Sequence, residues 1–142
     1  MTRLMQDLAL KAIWAPLLVF SVHMVLWQGT DVYDRIPHVD IPLHLFGGLA
    51  IAYFFAGCLH LAAERGWIDP VAGLIRVLLL VGLSCVAGVF WEYGEMTAFK
   101  ALGADLQVSI ADTLVDILVG TAGGGLFALG EWVWRLAFGA GR

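Results

Sequence analysis

The sequence predicts an all-α integral membrane protein: a four-helix bundle in one transmembrane domain covering residues 1–142, with both termini in the cytoplasm. Three observations carry that expectation. Apolar residues make up 61% of the chain and charged ones only 14%, and the mean hydropathy of +0.85 lies outside the range of soluble domains. The apolar residues fall into four blocks, 8–28, 41–63, 71–96 and 110–138, each near the ~20 residues that cross a hydrocarbon core of ~30 Å. The segments between and flanking them are short and hold most of the charge.

The first block follows Arg3 and imitates a signal peptide, but it is too long for the apolar core of one and no small-x-small cleavage site follows. It is expected to remain as a helix. After Gln28-Gly29-Thr30-Asp31 and Pro37, the second helix is expected to start at Asp40-Ile41-Pro42, where Asp caps and Pro fits the first turn. The third is expected to start at Asp69-Pro70, with Asp69 as N-cap. The fourth begins after Ser109, and Ser109-Ile110-Ala111-Asp112 fits the acidic version of a capping box. Trp14, Trp67, Trp132 and Trp134 would mark one membrane interface, and Trp27, Tyr33, Trp91 and Tyr93 the other.

Orientation follows from cations near the spans. Arg3, Lys11, Arg65, Arg76, Arg135 and Arg142 fall on one side, and Arg35 and Lys100 on the other, which places both termini in the cytoplasm. Cys58 and Cys85 sit within helices, so no disulfide framework is implied. The net charge of -4 argues against nucleic acid as a partner, and membrane lipids are the expected surroundings. Asp31, Asp34, Asp40, Glu92, Glu95, Asp105, Asp112 and Asp116 all map to the outer half.

The informative pattern is a polar pair near the outer end of each of three helices: Asp40 with His44, Glu92 with Glu95, and Asp112 with Asp116. Members three or four residues apart share a helix face. Along the same stripes lie Gly48, Ala52 and Ala56, then Gly120 and Gly124, and on the third helix Ser84 and Gly88. Small residues let membrane helices approach closely, so the three pairs are expected to converge on one outward-opening pocket. Five carboxylates and one imidazole in a low dielectric need protons or a counter-cation to coexist. Carboxylates and histidine projected inward from several helices form the ligand sets of di-metal carboxylate bundles, although those use Glu-x-x-His where this chain has Glu-x-x-Glu. The expected metal ligands are therefore Asp40, His44, Glu92, Glu95, Asp112 and Asp116, around a divalent ion. The mixed donors favour Zn, Mn or Fe, and the oxygen majority leaves Ca or Mg open.

Plainer readings compete. Asp40 and Asp112 are good helix caps, and Asp31, Asp34 and Asp105 read as solvated loop residues. A lone His44 would more often bond a backbone or a neighbouring carboxylate than a metal. Glu92, Glu95 and Asp116 resist this treatment, because an ionisable residue inside a span is a functional candidate by default; they are the candidate general bases. Lys100 either neutralises a carboxylate or recognises an anionic headgroup. His23 reads as a core histidine, His60 as an interfacial one, and Glu131 with Arg135 as a helix-stabilising pair. Gly123-Gly124-Gly125 resembles a phosphate loop only in composition, and helix packing explains it better.

Together, Asp40-Ile-Pro-Leu-His44 with Gly48, Glu92-Tyr-Gly-Glu95, and Asp112-Thr-Leu-Val-Asp116 with Gly120 and Gly124 resemble the VanZ-like bacterial membrane proteins, in particular the YjdF-type branch. The VanZ proteins proper have Gln in place of Glu95 and Asn in place of Asp116. The resemblance implies a small polytopic inner-membrane protein and names no reaction. Three functions are expected to compete: a metal-binding membrane protein, a metal-dependent enzyme acting on an envelope lipid or lipid-linked substrate, and a cation- or proton-binding transport or accessory subunit. The last would need a homo-oligomer or a larger membrane complex.

Overall fold

The computed structural model describes residues 7, 12–36, 38–102 and 109–138, and side chains for all of these except Asp34 and 98–102. Arg3, Lys11, Pro37, Asp105 and Arg142, and the side chain of Lys100, lie outside that description. Four apolar helices form a bundle: α1 (Trp14–Gly29), α3 (Asp40–Glu64), α4 (Gly73–Leu102) and α5 (Ile110–Phe138), with a single short turn of helix, α2 (Val32–Arg35), after the first. No strand occurs among the described residues. Among the described residues, three helices are long and apolar enough to cross a membrane: α3, α4 and α5. The described part of α1 has 16 residues, which at ~1.5 Å per residue falls short of a ~30 Å core.

The bundle is built with small residues inside and large ones outside. Gly48 of α3 meets the backbone of Gly120 of α5, and a Cβ on either Gly48 or Gly123 would collide with the backbone opposite. Gly124 is pressed in the same way against the Ser84 side chain of α4. Ala52 and Ala56 are buried below Gly48, while Phe90, Ile110 and Leu118 are among many large apolar side chains turned outward. Lipid is as apolar as leucine, so burying leucine gains little in a bilayer, and close backbone approach holds the helices together instead. The stripe expected from the sequence is thus the packing face at Gly48, Ala52, Ala56, Ser84, Gly120 and Gly124, but not at Gly88, where a Cβ would meet nothing within 4 Å. Helix α3 occupies the middle, against α5, α4 and α1; Leu80, Val77, Ala56 and Ala128 make the small apolar core.

The helix ends show where local signals were sufficient. Ser109 caps α5 as expected, its Oγ accepting the Asp112 N–H at 3.1 Å. Helix α3 ends in a Schellman turn: Gly66 takes φ +68°, the Trp67 N–H reaches the Ala62 carbonyl, and the Gly66 N–H that of Ala63. Asp40 is the first residue inside α3, not its cap, and its carboxylate accepts the adjacent Ile41 N–H at 3.0 Å. Helix α4 starts at Gly73, three residues beyond Pro70 and not behind Asp69. The reason is backbone conformation: Gly73 takes φ +60°, so the chain turns into the helix there.

One end of the bundle, where α4 starts and α3 and α5 end, carries a buried ion cluster. Arg76, 6% exposed, donates through Nε and Nη2 to both oxygens of Glu131 at 2.9 and 3.0 Å, and through Nη2 to the Ala56 carbonyl at 3.2 Å. Arg135 adds two bonds to Glu131 Oε1, at 3.1 and 2.7 Å. The expected Glu131–Arg135 pair is present, and Arg76, expected only as a flanking charge, extends it into a clamp joining three helices.

Candidate metal centre

The opposite, acidic end takes its geometry from the glycine contacts. Helices α3 and α5 both begin there and cross at Gly48 and Gly120. His44 and Asp116 each lie one turn before those glycines, so they meet: His44 Nε2 stands 3.7 Å from Asp116 Oδ1. Helix α4 runs the other way, with Ser84 against Gly124, which carries Glu92 up to the same level two turns later. There His44 Nδ1 stands 3.8 Å from Glu92 Oε1. One imidazole therefore lies between two carboxylates from two other helices.

Neither approach is a hydrogen bond, since N–H···O bonds measure ~2.7–3.2 Å. Glu92 and Asp116 are 8% and 4% exposed, and Glu92 Oε1 and Asp116 Oδ1 are buried without a hydrogen-bond partner among the described residues. Leaving a carboxylate oxygen buried and unpaired is costly, a cost that either a proton or a cation would relieve. Two groups could hold a cation: Asp40 with His44 and Asp116, and His44 with Glu92 and Glu95. In each, one donor atom per residue lies within 4.8 Å of the others. His44 belongs to both. Asp112, half-buried in the first turn of α5, joins neither group.

His23 corrects the expectation of a core histidine. Its Nε2 lies 3.2 Å from Glu95 Oε1, and its Nδ1 lies 2.9 Å from the Tyr33 hydroxyl. Burial, with the charges of Glu95, Asp40 and Asp116, pushes the Tyr33 phenol up to about 12. It therefore stays protonated near neutral pH, and where the neutral His23 ring carries its proton on Nε2, facing Glu95, the Tyr33 hydroxyl donates to Nδ1. A hydrogen-bonded partner behind a ligand carboxylate is a common feature of metal sites, where it fixes the ligand's orientation. Trp91, expected at the interface, packs edge-on against His23 at 5.3 Å and Phe20 at 5.8 Å. Asp31 is exposed and pairs with Arg35 at 2.8 Å, in keeping with a solvated position. His60 pairs with Glu64 at the other end.

The comparisons with known proteins agree with the membrane reading. The family described as Predicted membrane protein (DUF2238) matches residues 2–137. An uncharacterized protein of Thermotoga maritima is 31% identical over 115 residues, which cover 80% of this chain. The chain spans just over half, 57%, of that relative's length. No solved structure matches. With nearly its whole length matched, and with helices of membrane-spanning length carrying the match, the chain belongs to the DUF2238 family of predicted membrane proteins.

Proposed function

We propose that this protein binds divalent metal at the acidic end of its bundle, opening to the outer face of a bacterial inner membrane. The observation that carries the reading is His44 set between Glu92 Oε1 and Asp116 Oδ1, two buried oxygens without hydrogen-bond partners among the described residues. His44, Asp40 and Asp116 would hold one ion, and His44, Glu92 and Glu95 a second or alternative one. Imidazole with carboxylates suits Zn, Mn or Fe, and Ca or Mg remain chemically acceptable. Three protein ligands leave a coordination position open, the arrangement of catalytic rather than closed structural sites. A metal there would polarise a phosphoryl or acyl oxygen, with Glu92, Glu95 or Asp116 as base. We also read the family as close to the VanZ-like proteins of the YjdF type, on the spacing of the same three polar pairs.

A cluster neutralised by protons is the second reading, favoured by the same unpaired oxygens. Metal analysis after purification without chelator separates the two. We expect up to two divalent ions per chain, one for each ligand group. Ligand at a hundredfold excess over Kd stabilises by ~2.7 kcal/mol, so chelation should lower the melting temperature. Protein free of metal, with melting unchanged by chelator, would sink the metal reading and leave the protonated cluster.

A further inference from the structure

A cavity of about 280 Å³ adjoins the acidic cluster. Its polar wall is His23, His44, Glu92 and Asp116; the rest is mainly apolar, including Leu17 and Phe20 of α1, Leu43 and Ile51 of α3, and Ala87 of α4. Leu17 and Phe20 are themselves about half exposed on the outer surface of the bundle. Helix α1 packs chiefly on α3 rather than α4, so the cavity lies beside a seam that faces hydrocarbon.

Two glycines distinguish this space from a packing defect. Gly48, Gly120, Gly123 and Gly124 sit where helices touch, but a Cβ on Gly88 would meet nothing within 4 Å, and one on Gly47 only Val19 at 3.9 Å. Both line the cavity. They leave open a volume that ordinary side chains would fill. That volume is near the lower bound of ~300–1,000 Å³ for small-molecule sites, which suits one hydrocarbon chain and not a two-chain lipid. The polar wall holds the unpaired Glu92 and Asp116 oxygens, where the proposed ion has an open position.

We propose that the cavity seats the single hydrocarbon chain of an amphiphile drawn from the bilayer, whose phosphate or carboxylate head ligates the metal beside Glu92 and Asp116. This inference rests on the metal reading above. A cationic head would be attracted to bare carboxylates, but a bound metal neutralises them and selects an oxygen donor. The chain enters sideways between α1 and α4, and the head stops at the acidic end.

The test uses the full chain in phosphatidylcholine nanodiscs, loaded with manganese, and a dodecyl phosphate bearing a diazirine at its chain end. Labelling should be saturable, map to α1 and α4, be displaced by dodecyl phosphate and fall with chelator. Dodecyltrimethylammonium should compete at least tenfold more weakly. Gly88→Leu should cut labelling at least tenfold with manganese content unchanged. Gly47→Leu plugs the opposite wall should the first variant not insert, and Gly82→Leu, away from the cavity in a position with nothing near its Cβ, should label as the parent does. Manganese bound as expected but labelling unaffected by either plug, or equal competition by the ammonium amphiphile, overturns this inference alone. No bound manganese overturns the metal reading and the head-group assignment with it.

Discussion

The two ends of the bundle bury charge to nearly the same degree and treat it in opposite ways. At the basic end, Arg76 is 6% exposed, and each Glu131 oxygen receives a guanidinium hydrogen bond. At the acidic end, Glu92 and Asp116 are 8% and 4% exposed, and each has an oxygen beside His44 that is unpaired among the described residues. The basic end is satisfied within the chain; at the acidic end two carboxylate oxygens have no hydrogen-bond partner among the described residues. Burial of an ionisable group in a membrane span marks importance, but whether its hydrogen bonds are satisfied separates a structural clamp from a site.

That contrast predicts opposite responses to charge removal. The largest effect is expected from Arg76→Ala, which strands a buried carboxylate with a partner on one side only. Breaking a buried pair costs ~3–5 kcal/mol, read as a collapse of thermal stability in detergent. Replacing both partners, Arg76→Met with Glu131→Leu, should restore most of it. Gly48→Ala should come next, because its methyl group meets the Gly120 backbone. Overpacking typically costs ~1–3 kcal/mol, and this variant should also lose metal, since the same contact brings His44 to Asp116. Unchanged metal content in folded Gly48→Ala would break the link drawn between the glycine crossing and the site.

Smaller effects sharpen the comparison. Ser109→Ala removes a cap bond and should cost ~1 kcal/mol in thermal unfolding, with metal content unchanged. His23→Gln and Tyr33→Phe touch the support behind Glu95, and loss of such outer partners usually weakens metal binding ~10–100-fold. Their apoproteins should melt close to the parent, with metal titration showing the difference. If both variants bind metal as the parent does, Glu95 is oriented by something other than His23.

Much of this was legible in the sequence, for identifiable reasons. The apolar blocks gave the helices, and the periodic Gly48, Ala52, Ala56, Gly120 and Gly124 gave their contact face, because helical periodicity fixes which residues share a side. His44, Glu92 and Asp116 were expected to converge on the same argument, and the structure brings them together. Periodicity does not say which face of a distant helix arrives opposite. His23 stood alone in an apolar helix, with its partners Tyr33 and Glu95 on other elements, so it read as core. Arg76 was counted as a boundary charge because a cation near a span end can point to water or inward, and only Glu131 of α5 decides. The Asp69-Pro70 signal marked a permissible helix start, but the turn is made by the backbone of Gly73. Spacing also placed Asp112 on the face of Asp116, without limiting how far along α5 the ligand groups reach.

The central claim, that the acidic end is unfinished without a cation, is tested most directly by measuring metal content and apoprotein melting together in Glu92→Gln and Asp116→Asn. Both variants remove a buried charge and keep the side-chain shape, and both should insert normally. The account predicts that each loses bound metal while its apoprotein melts at or above the temperature of the chelated parent, because repulsion and an unpaired anion have been removed. Full metal occupancy in both variants, or an apoprotein as destabilised as Arg76→Ala, would show that the acidic end is a self-sufficient structural cluster and contradict the account.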